Sequence, residues 1–417
     1  MLRGICDRIP RILKKAFEQK QEKKDVRPRN RYIQDYRIMR RIKPKPYTIV
    51  LGATGSVGSQ AIDMLSKTDE IRIVGLSCKK SAGKIYKLKK TTGCDKIHVA
   101  DESACDLRSF ISEILMDFPA EQTTALNAIS GFAGLEASFI LADMGISTLL
   151  ANKESVVTGG EVYLKHAKSK GADVIPVDSE HSSLWTLLKG PWKPKVKKAI
   201  ITCSGGPFRD RSDFKRITPE EATKNPNWNM GPKISVDSST LANKLSEVIE
   251  AKNLFNLKPE QIEVVIQKNS HVHSLLQLAD NSYIAELSVP SMALPIAKAY
   301  GLDDSPAVRE IDWSDLRLEF SKPDVKRFPF LSLAYELLQS HGKCIAFNAA
   351  NEEAVRLFLS GAIPFSGIYE IVKKTIRKST DIEKAGQKIK TLDDIRNADK
   401  SARKAALEIA ARLYGCS

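Results

Sequence analysis

The stretch Tyr47-Thr48-Ile49-Val50-Leu51-Gly52-Ala53-Thr54-Gly55-Ser56-Val57-Gly58 decides the fold. Its first five residues have the pattern of a short buried strand. The strand runs directly into glycines spaced GxxGxxG, and a helical pattern through Ile62, Met64 and Leu65 follows. Strand, glycine turn and helix form the context of a dinucleotide site. The glycines let backbone approach a pyrophosphate, and the helix N-terminus favours its negative charge. The spacing departs from GxGxxG, and a plain turn between strand and helix reads the same way.

Working outward, the next strand, Ile71 to Ser77, ends in Cys78-Lys79-Lys80-Ser81. A site for NAD usually puts an acid there for the ribose 2′-hydroxyl. Two lysines and a hydroxyl suit a 2′-phosphate instead, so NADP is preferred, with a solvated lysine pair as the plain alternative. Further units follow at Lys96 to Ala100, Thr124 to Ala128, a helix near Leu135 to Met144, and Ser147 to Ala151. This alternation predicts a doubly wound, Rossmann-like α/β sheet covered on both faces. Its last strand ends in Asn152-Lys153-Glu154-Ser155, at the carboxyl end where such sheets bind ligands. A helix cap would also account for Asn152 and Glu154.

A mostly apolar run, Ala172 to Val177, then ends in Asp178-Ser179-Glu180-His181. In extended chain, Asp178 and Glu180 point the same way and converge, which means repulsion or a shared cation. Downstream, Cys203-Ser204-Gly205-Gly206 leaves a strand as a turn rich in exposed N–H groups, suited to an anion. The polar segment that follows, with Trp228 and Met230 embedded, reads as a long lid. Trp228 either covers a substrate or anchors the loop. Asp237-Ser238-Ser239-Thr240 reads as a helix start, and on that helix Asn243, Lys244 and Glu247 share a face. Ser238, Asn243 and Lys244 read as a phosphate cradle and Glu247 as a third carboxylate, although Lys244 and Glu247 alone would be an ordinary surface pair. Ile262 to Gln267 and Tyr283 to Ser288 read as strands, open to antiparallel pairing, of a second, α+β unit. Beyond Phe328 the chain is helical and amphipathic.

Composition bounds the class. Hydrophobic residues at 42% and charged residues at 28% describe an ordinary globular chain of 417 residues. No apolar run is long enough for a transmembrane helix. The seven scattered cysteines form no CxxC or disulfide pattern, which favours a reducing compartment and a cytoplasmic location. Residues 1–46 carry sixteen Lys/Arg against five Asp/Glu, so this arm holds +11 of the net +15. The arm is an appendage and not a nucleic-acid-binding domain; organelle targeting is its other reading, although it lacks serine and contains acids.

In this order, the segments LGATGSVGSQ (51–60), LLANKESVVTGG (149–160), IPVDSEHSSL (175–184), CSGGPF (203–208), NPNWNMGPKISVDSSTLANK (225–244), EVIEA (247–251), HSLL (273–276) and FNAANEEAV (347–355) resemble the 1-deoxy-D-xylulose 5-phosphate reductoisomerase family. The resemblance spans roughly residues 47–417 and implies an NADPH-dependent homodimeric enzyme of isoprenoid precursor synthesis acting on a sugar phosphate. It implies that Asp178, Glu180 and Glu247 bind one Mg²⁺ or Mn²⁺. It places Lys153, Ser179, Ser204, Asn225, Trp228, Ser238, Asn243, Lys244 and Glu247 at the substrate. Thr54, Gly55, Ser56, Val57, Lys79, Lys80, Ser81, Asn152, Glu154 and Gly231 match positions around NADPH, and Lys153, Asp178, Glu180 and Glu247 match the catalytic set. Two departures stand out. Asn225 replaces the usual histidine, and Gln267-Lys268-Asn269 replaces the usual His-Pro-Gln. Asn cannot carry charge, which lowers the expected rate and leaves a non-catalytic NADPH- or sugar-phosphate-binding relative as the competing reading. The expected organisation is a basic extension (1–46), a nucleotide domain (47–177), a catalytic domain (178–302) with a lid at about 204–232, a linker (303–328) and a helical domain (329–417).

Overall fold

The computed structural model describes residues 44–101, 106–211, 213–224, 230–302, 307–384 and 389–416. Residues 1–43 of the basic arm, Asn225 and Trp228 lie outside them.

Six strands build the first sheet: β1 (Tyr47–Leu51), β2 (Arg72–Cys78), β3 (Ile97–Val99), β4 (Thr123–Asn127), β5 (Ser147–Leu150) and β6 (Val174–Pro176). All pair in parallel in the order β3-β2-β1-β4-β5-β6. The period of two in β1 explains how both faces fill. Ile49 and Leu51 pack with Phe110, Ile111, Ile114 and Leu141 on one side. Val50 packs on the other, with Ile62, Leu65 and Ile85. Strand order reverses between β1 and β4, the point at which such sheets open a crevice at their carboxyl ends.

The glycine turn sits at that crevice. Gly52 has φ +79°, and a Cβ there would come within 2.4 Å of the Ala128 carbonyl oxygen. A Cβ on Gly58 would meet the Gly52 carbonyl at 2.3 Å. Packing of the Ser56–Leu65 helix against β1 therefore requires both glycines, whatever binds beyond them.

The second sheet contains β7 (Val196–Cys203), β8 (Ile262–Gln267), β9 (Val272–Leu278), β10 (Tyr283–Leu287) and the two-residue β11 (Phe320–Ser321), in the order β10-β9-β7-β8-β11. It is mixed. β7 runs parallel to β8 and antiparallel to β9, and β10 returns antiparallel along β9. The two strands expected from sequence therefore do not pair with each other; β9, which the sequence reading missed, and β7 separate them. Its inner face carries Ala199, Ile201, Ile266 and Leu276 into the main core. The register aligns Ile200 with Leu275 and Leu275 with Ala285 on the outer face, and none of these joins a core cluster.

Within the expected lid, Thr218 caps a single helical turn, Pro219–Ala222, through a capping box with Glu221. Phe208, Ile217 and Ala222 are buried, and the Phe214 ring stacks edge-on against Phe208 and Phe328. The first half of this segment is therefore anchored by aromatic burial and is not a free polar loop. The helices His341–Leu359, Phe365–Lys384 and Leu392–Tyr414 close the fold. Phe347, fully buried, joins the same cluster as Leu245 and Ile249. Burying such a side chain contributes about 2–3 kcal/mol.

Candidate active site

Asp178 follows β6 and caps the Ser179–Leu187 helix, accepting from the Glu180 backbone N–H at 3.3 Å. The expectation that Asp178 and Glu180 converge through extended chain is thus replaced by a helical one. Asp178 is the cap and Glu180 lies in the first turn, where a carboxylate also suits the helix dipole. Glu247 comes from the Ala242–Phe255 helix. The Asp237–Thr240 segment does not start that helix. It ends the preceding one, Pro232–Thr240, and Leu241 at φ +62° turns the chain into the next. Ser238 therefore sits at a helix C-terminus beside the Gly205-Gly206 turn: a Cβ on Gly206 would meet the Ser238 carbonyl oxygen at 2.5 Å. That approach brings the Ser204 turn and Ser238 together.

Oxygens of Asp178, Glu180 and Glu247 lie within 4.8 Å of one another. Lys153 donates to Asp178 at 2.9 Å, to Asn243 at 2.7 Å and to Glu247 at 3.1 Å. Lys244 donates to Glu180 at 2.7 Å and also to Glu247. Ser179 bonds Glu180, and Asn243 donates to Glu247 at 2.5 Å. Glu247 and Lys244 are both only 2% exposed, so these charges depend on one another for solvation.

The electrostatics show carboxylates crowded against one another. Burial opposes charge on Asp178, but Lys153 and His181 beside it hold its carboxyl well below the usual range. Burial, then the charge of Glu180, pushes Glu247 up despite Lys244. The Lys153 ammonium is held well above its usual range by Asp178 and Glu247, against burial. Converging hard oxygen donors that raise one another's charge cost, as Glu180 does for Glu247, fit Mg²⁺ or Mn²⁺.

Two further residues escaped the sequence reading. His181 places Nδ1 2.9 Å from Asp178 and Nε2 2.9 Å from the Glu247 carbonyl oxygen. With Asp178 ionised, both partners only accept, so both ring nitrogens must donate and the imidazole is charged. Burial opposes this, but Glu250 and Asp178 raise its pKa to about 9. Asp178, His181 and Glu250 also gather within 4.8 Å. A doubly donating ring has no lone pair for a metal, so that trio is not the ion site. Glu250, fully buried, is pushed up to about 7 by burial. Spacing carried a signal for both residues: each lies three positions after a candidate ligand on one helix.

On the nucleotide side, Gly55 precedes the Ser56–Leu65 helix with no side-chain cap, and the first turn holds no acid. The helix start at Thr54, Ser56 and Val57 therefore carries no side-chain cap and no acid, an arrangement that favours an anion. Lys79 and Lys80 are exposed beyond β2, next to β1, and Ser81 precedes the Ala82–Thr92 helix. Asn152 is 2% exposed and donates to the carbonyls of Ile129 and Gly131, and to Glu154 at 2.8 Å. Its Oδ1 accepts from the Ser155 backbone N–H at 2.9 Å, which is the capping role. Gly231 precedes the Pro232–Thr240 helix in open space.

Comparison with known proteins gives this arrangement its relatives. The profile for 1-deoxy-D-xylulose 5-phosphate reductoisomerase matches residues 48–160, and two profiles for C-terminal domains of that enzyme match 174–255 and 287–405. The chain is 39% identical over 376 residues to the 1-deoxy-D-xylulose 5-phosphate reductoisomerase of Thermodesulfovibrio yellowstonii, covering 86% of this chain and 97% of the relative. It is 36% identical to that of Thermotoga maritima, over 83% of this chain and 92% of the relative. A crystal structure of DOX-P reductoisomerase in complex with NADPH, fosmidomycin and magnesium superposes with a TM-score of 0.79 at 34% identity, covering 88% of this chain and 98% of that one. The Zymomonas mobilis enzyme in complex with NADPH gives 0.73 at 30% identity, over 88% of this chain and 99% of that one. The chain belongs to the 1-deoxy-D-xylulose 5-phosphate reductoisomerase family.

Proposed function

We propose that the chain converts 1-deoxy-D-xylulose 5-phosphate to 2-C-methyl-D-erythritol 4-phosphate, with NADPH and a divalent cation, on the route to isoprenoid precursors. The observation that carries this reading is the convergence of the Asp178, Glu180 and Glu247 oxygens within 4.8 Å beside Lys153 and Lys244. These three carboxylates would hold Mg²⁺ or Mn²⁺, which supplies Lewis-acid polarisation of the substrate's carbonyl and hydroxyl oxygens. NADPH, on the cradle at Thr54–Val57 with Lys79, Lys80 and Ser81 at its 2′-phosphate, supplies the hydride.

The chain's own groups do the positioning. Lys153 stays an ammonium, so it can donate a proton-bearing Nζ to a substrate oxygen without losing charge. Ser204, Ser238, Asn243 and Lys244 hold the phosphate end, and Ser179 lies between two carboxylate ligands to contact the sugar. Asn152 and Glu154 face the cofactor with Gly231. Asn225 and Trp228, outside the described residues, are assigned to the substrate by the family resemblance alone, and an Asn side chain can offer a hydrogen bond but no charge. We carry the domain division expected from sequence into this proposal. We also propose a homodimer through the outer face of the second sheet, where Ile200, Leu275 and Ala285 align outside the core clusters. Among the described residues, no helix is long and apolar enough to cross a membrane, and the five described cysteines are free, which fits a cytoplasmic enzyme.

The test is NADPH oxidation followed by absorbance with purified protein, 1-deoxy-D-xylulose 5-phosphate and Mn²⁺. Turnover that EDTA abolishes and Mn²⁺ restores is expected. A folded, NADPH-binding protein without turnover would instead support the non-catalytic reading.

A further inference from the structure

Lys233 stands where helix electrostatics disfavours it. It is the second residue of the Pro232–Thr240 helix, whose N-terminus repels cations. Its pairing with Asp237, four residues later, is also the less favourable orientation for such a pair. Yet its Nζ lies 2.8 Å from Asp237 and 3.3 Å from Glu154, both carboxylates nearly buried. Glu154 stands just past the carboxyl end of β5, and Asp237 immediately precedes Ser238. Asp237 in turn accepts from Asn351 of the C-terminal helices at 2.8 Å. Among the described residues, the Glu154 carboxylate has two hydrogen-bonding side chains, Asn152 and Lys233. A single ammonium thus ties a group beside the candidate cofactor site to the helix carrying a candidate phosphate ligand.

We propose that Lys233 is a positioning residue for cofactor binding: it fixes the Glu154 carboxylate toward NADPH, neutralises it, and couples that contact to the substrate-side helix through Asp237. The inference rests on the NADPH reading of Glu154 given above. Without Lys233, two nearly buried carboxylates face each other unpaired beside a site for a polyanion. Glu154 then swings about Asn152 alone, and its charge repels the phosphates of the cofactor.

The test compares Lys233→Met, Lys233→Arg and the charge-balanced double variant Lys233→Met/Asp237→Asn with the unaltered chain. NADPH affinity is read by its fluorescence on the metal-loaded protein, thermal melting gives stability, and steady-state kinetics separate KM for NADPH from kcat. Lys233→Met is expected to weaken NADPH about tenfold, in Kd and KM alike, the size of one charge-assisted contact. Its kcat at saturating NADPH should fall much less. Lys233→Arg should recover most of the affinity, and the double variant should regain melting temperature but not affinity. Unchanged NADPH affinity in Lys233→Met overturns the proposal. So does affinity that returns with stability in the double variant, because Lys233 is then merely structural. Failure of the unaltered chain to bind NADPH would instead overturn the cofactor reading, which separates the two.

Discussion

Around Arg403, three carboxylates spread along the edges of one guanidinium; around Lys153 and Lys244, three carboxylates turn toward a common point. Arg403 gives Nε to Asp399 at 2.7 Å, Nη1 to Glu353 at 3.0 Å and Nη2 to Glu352 at 2.6 Å. The planar fork holds its partners apart, and no metal-sized grouping forms there among the described residues. An ammonium is a compact charge without a fixed plane. Lys153 and Lys244 let the oxygens of Asp178, Glu180 and Glu247 close to within 4.8 Å, and an ion of higher charge can enter among them. A cluster of buried acids therefore says little about function. The direction in which its oxygens point separates a structural clasp from a metal centre.

The strongest way to break this comparison is to neutralise one converging oxygen set. Glu247→Gln keeps the shape of the side chain and removes the ligand charge. It should lower kcat/KM on the order of a thousandfold, the scale of losing a metal's Lewis-acid assistance. NADPH affinity should be unchanged, because the cradle at Thr54–Val57 follows β1, whereas Glu247 comes from the Ala242–Phe255 helix. Kinetics with Mn²⁺ and a fluorescence titration with NADPH check both. Retained activity would mean that the convergence is not a metal site.

The structural clasp should respond in the opposite sense. Removing one partner of a buried ion pair costs roughly 3–5 kcal/mol. The Arg403 side chain is 24% exposed, so screening reduces the expected loss in Arg403→Met to about 2–3 kcal/mol. Urea denaturation should show this loss, while metal affinity by calorimetry stays the same. An effect on metal affinity as large as that on stability would join the two clusters into one system.

Much of this contrast was written in the sequence, but unevenly. The parallel sheet was legible because most of its strands are short, largely apolar runs that end at a turn, and Gly52 and Gly58 mark a place where backbone must approach backbone. β9 was not, since Val272 to Leu278 mixes His273, Ser274 and Gln277 with its apolar residues. The three carboxylates that converge were singled out as residues, but the reason for their convergence was misread. Asp178 caps a helix, and Ser238 ends one helix instead of starting the next. Burial overrode the local signals there: Leu241 takes a left-handed turn that no residue-by-residue preference predicts. Lys233 and the Arg403 clasp were invisible because, beside one partner four residues away, each draws on carboxylates that lie 79 and about 50 residues away.

His273 tests a third treatment of charge, exclusion. The ring is 5% exposed, and burial pulls its pKa down to about 4, against the charge of Glu286. The folded protein therefore keeps it neutral, whereas the unfolded chain protonates it below about 6.5. Stability from this residue is complete above that pH and is lost as pH falls toward 4. Between pH 7 and 5 the loss should be about 2 kcal/mol. His273→Gln should flatten that part of the pH–stability curve measured by urea unfolding. An unchanged slope would assign the acid sensitivity to the carboxylate clusters.

The smallest expected effect lies where charge is left in water. Lys80 projects beyond β2 with its side chain 72% exposed and, among the described residues, a single distant ion-pair contact, 3.9 Å, to Asp101. Here neither a fork nor a buried ammonium fixes the geometry, so the lysine acts by field alone and is screened by salt. Lys80→Glu should weaken NADPH by about fivefold to tenfold at low ionic strength, because a 2′-phosphate then faces a carboxylate. NADH, which lacks that phosphate, should bind nearly as before, and the difference should shrink as salt is added. Equal losses for the two cofactors would place the 2′-phosphate elsewhere. Salt-independent selectivity would mean that Lys80 is held as firmly in the complex as Lys153 is in the metal centre, and the division between buried and exposed lysines would no longer hold.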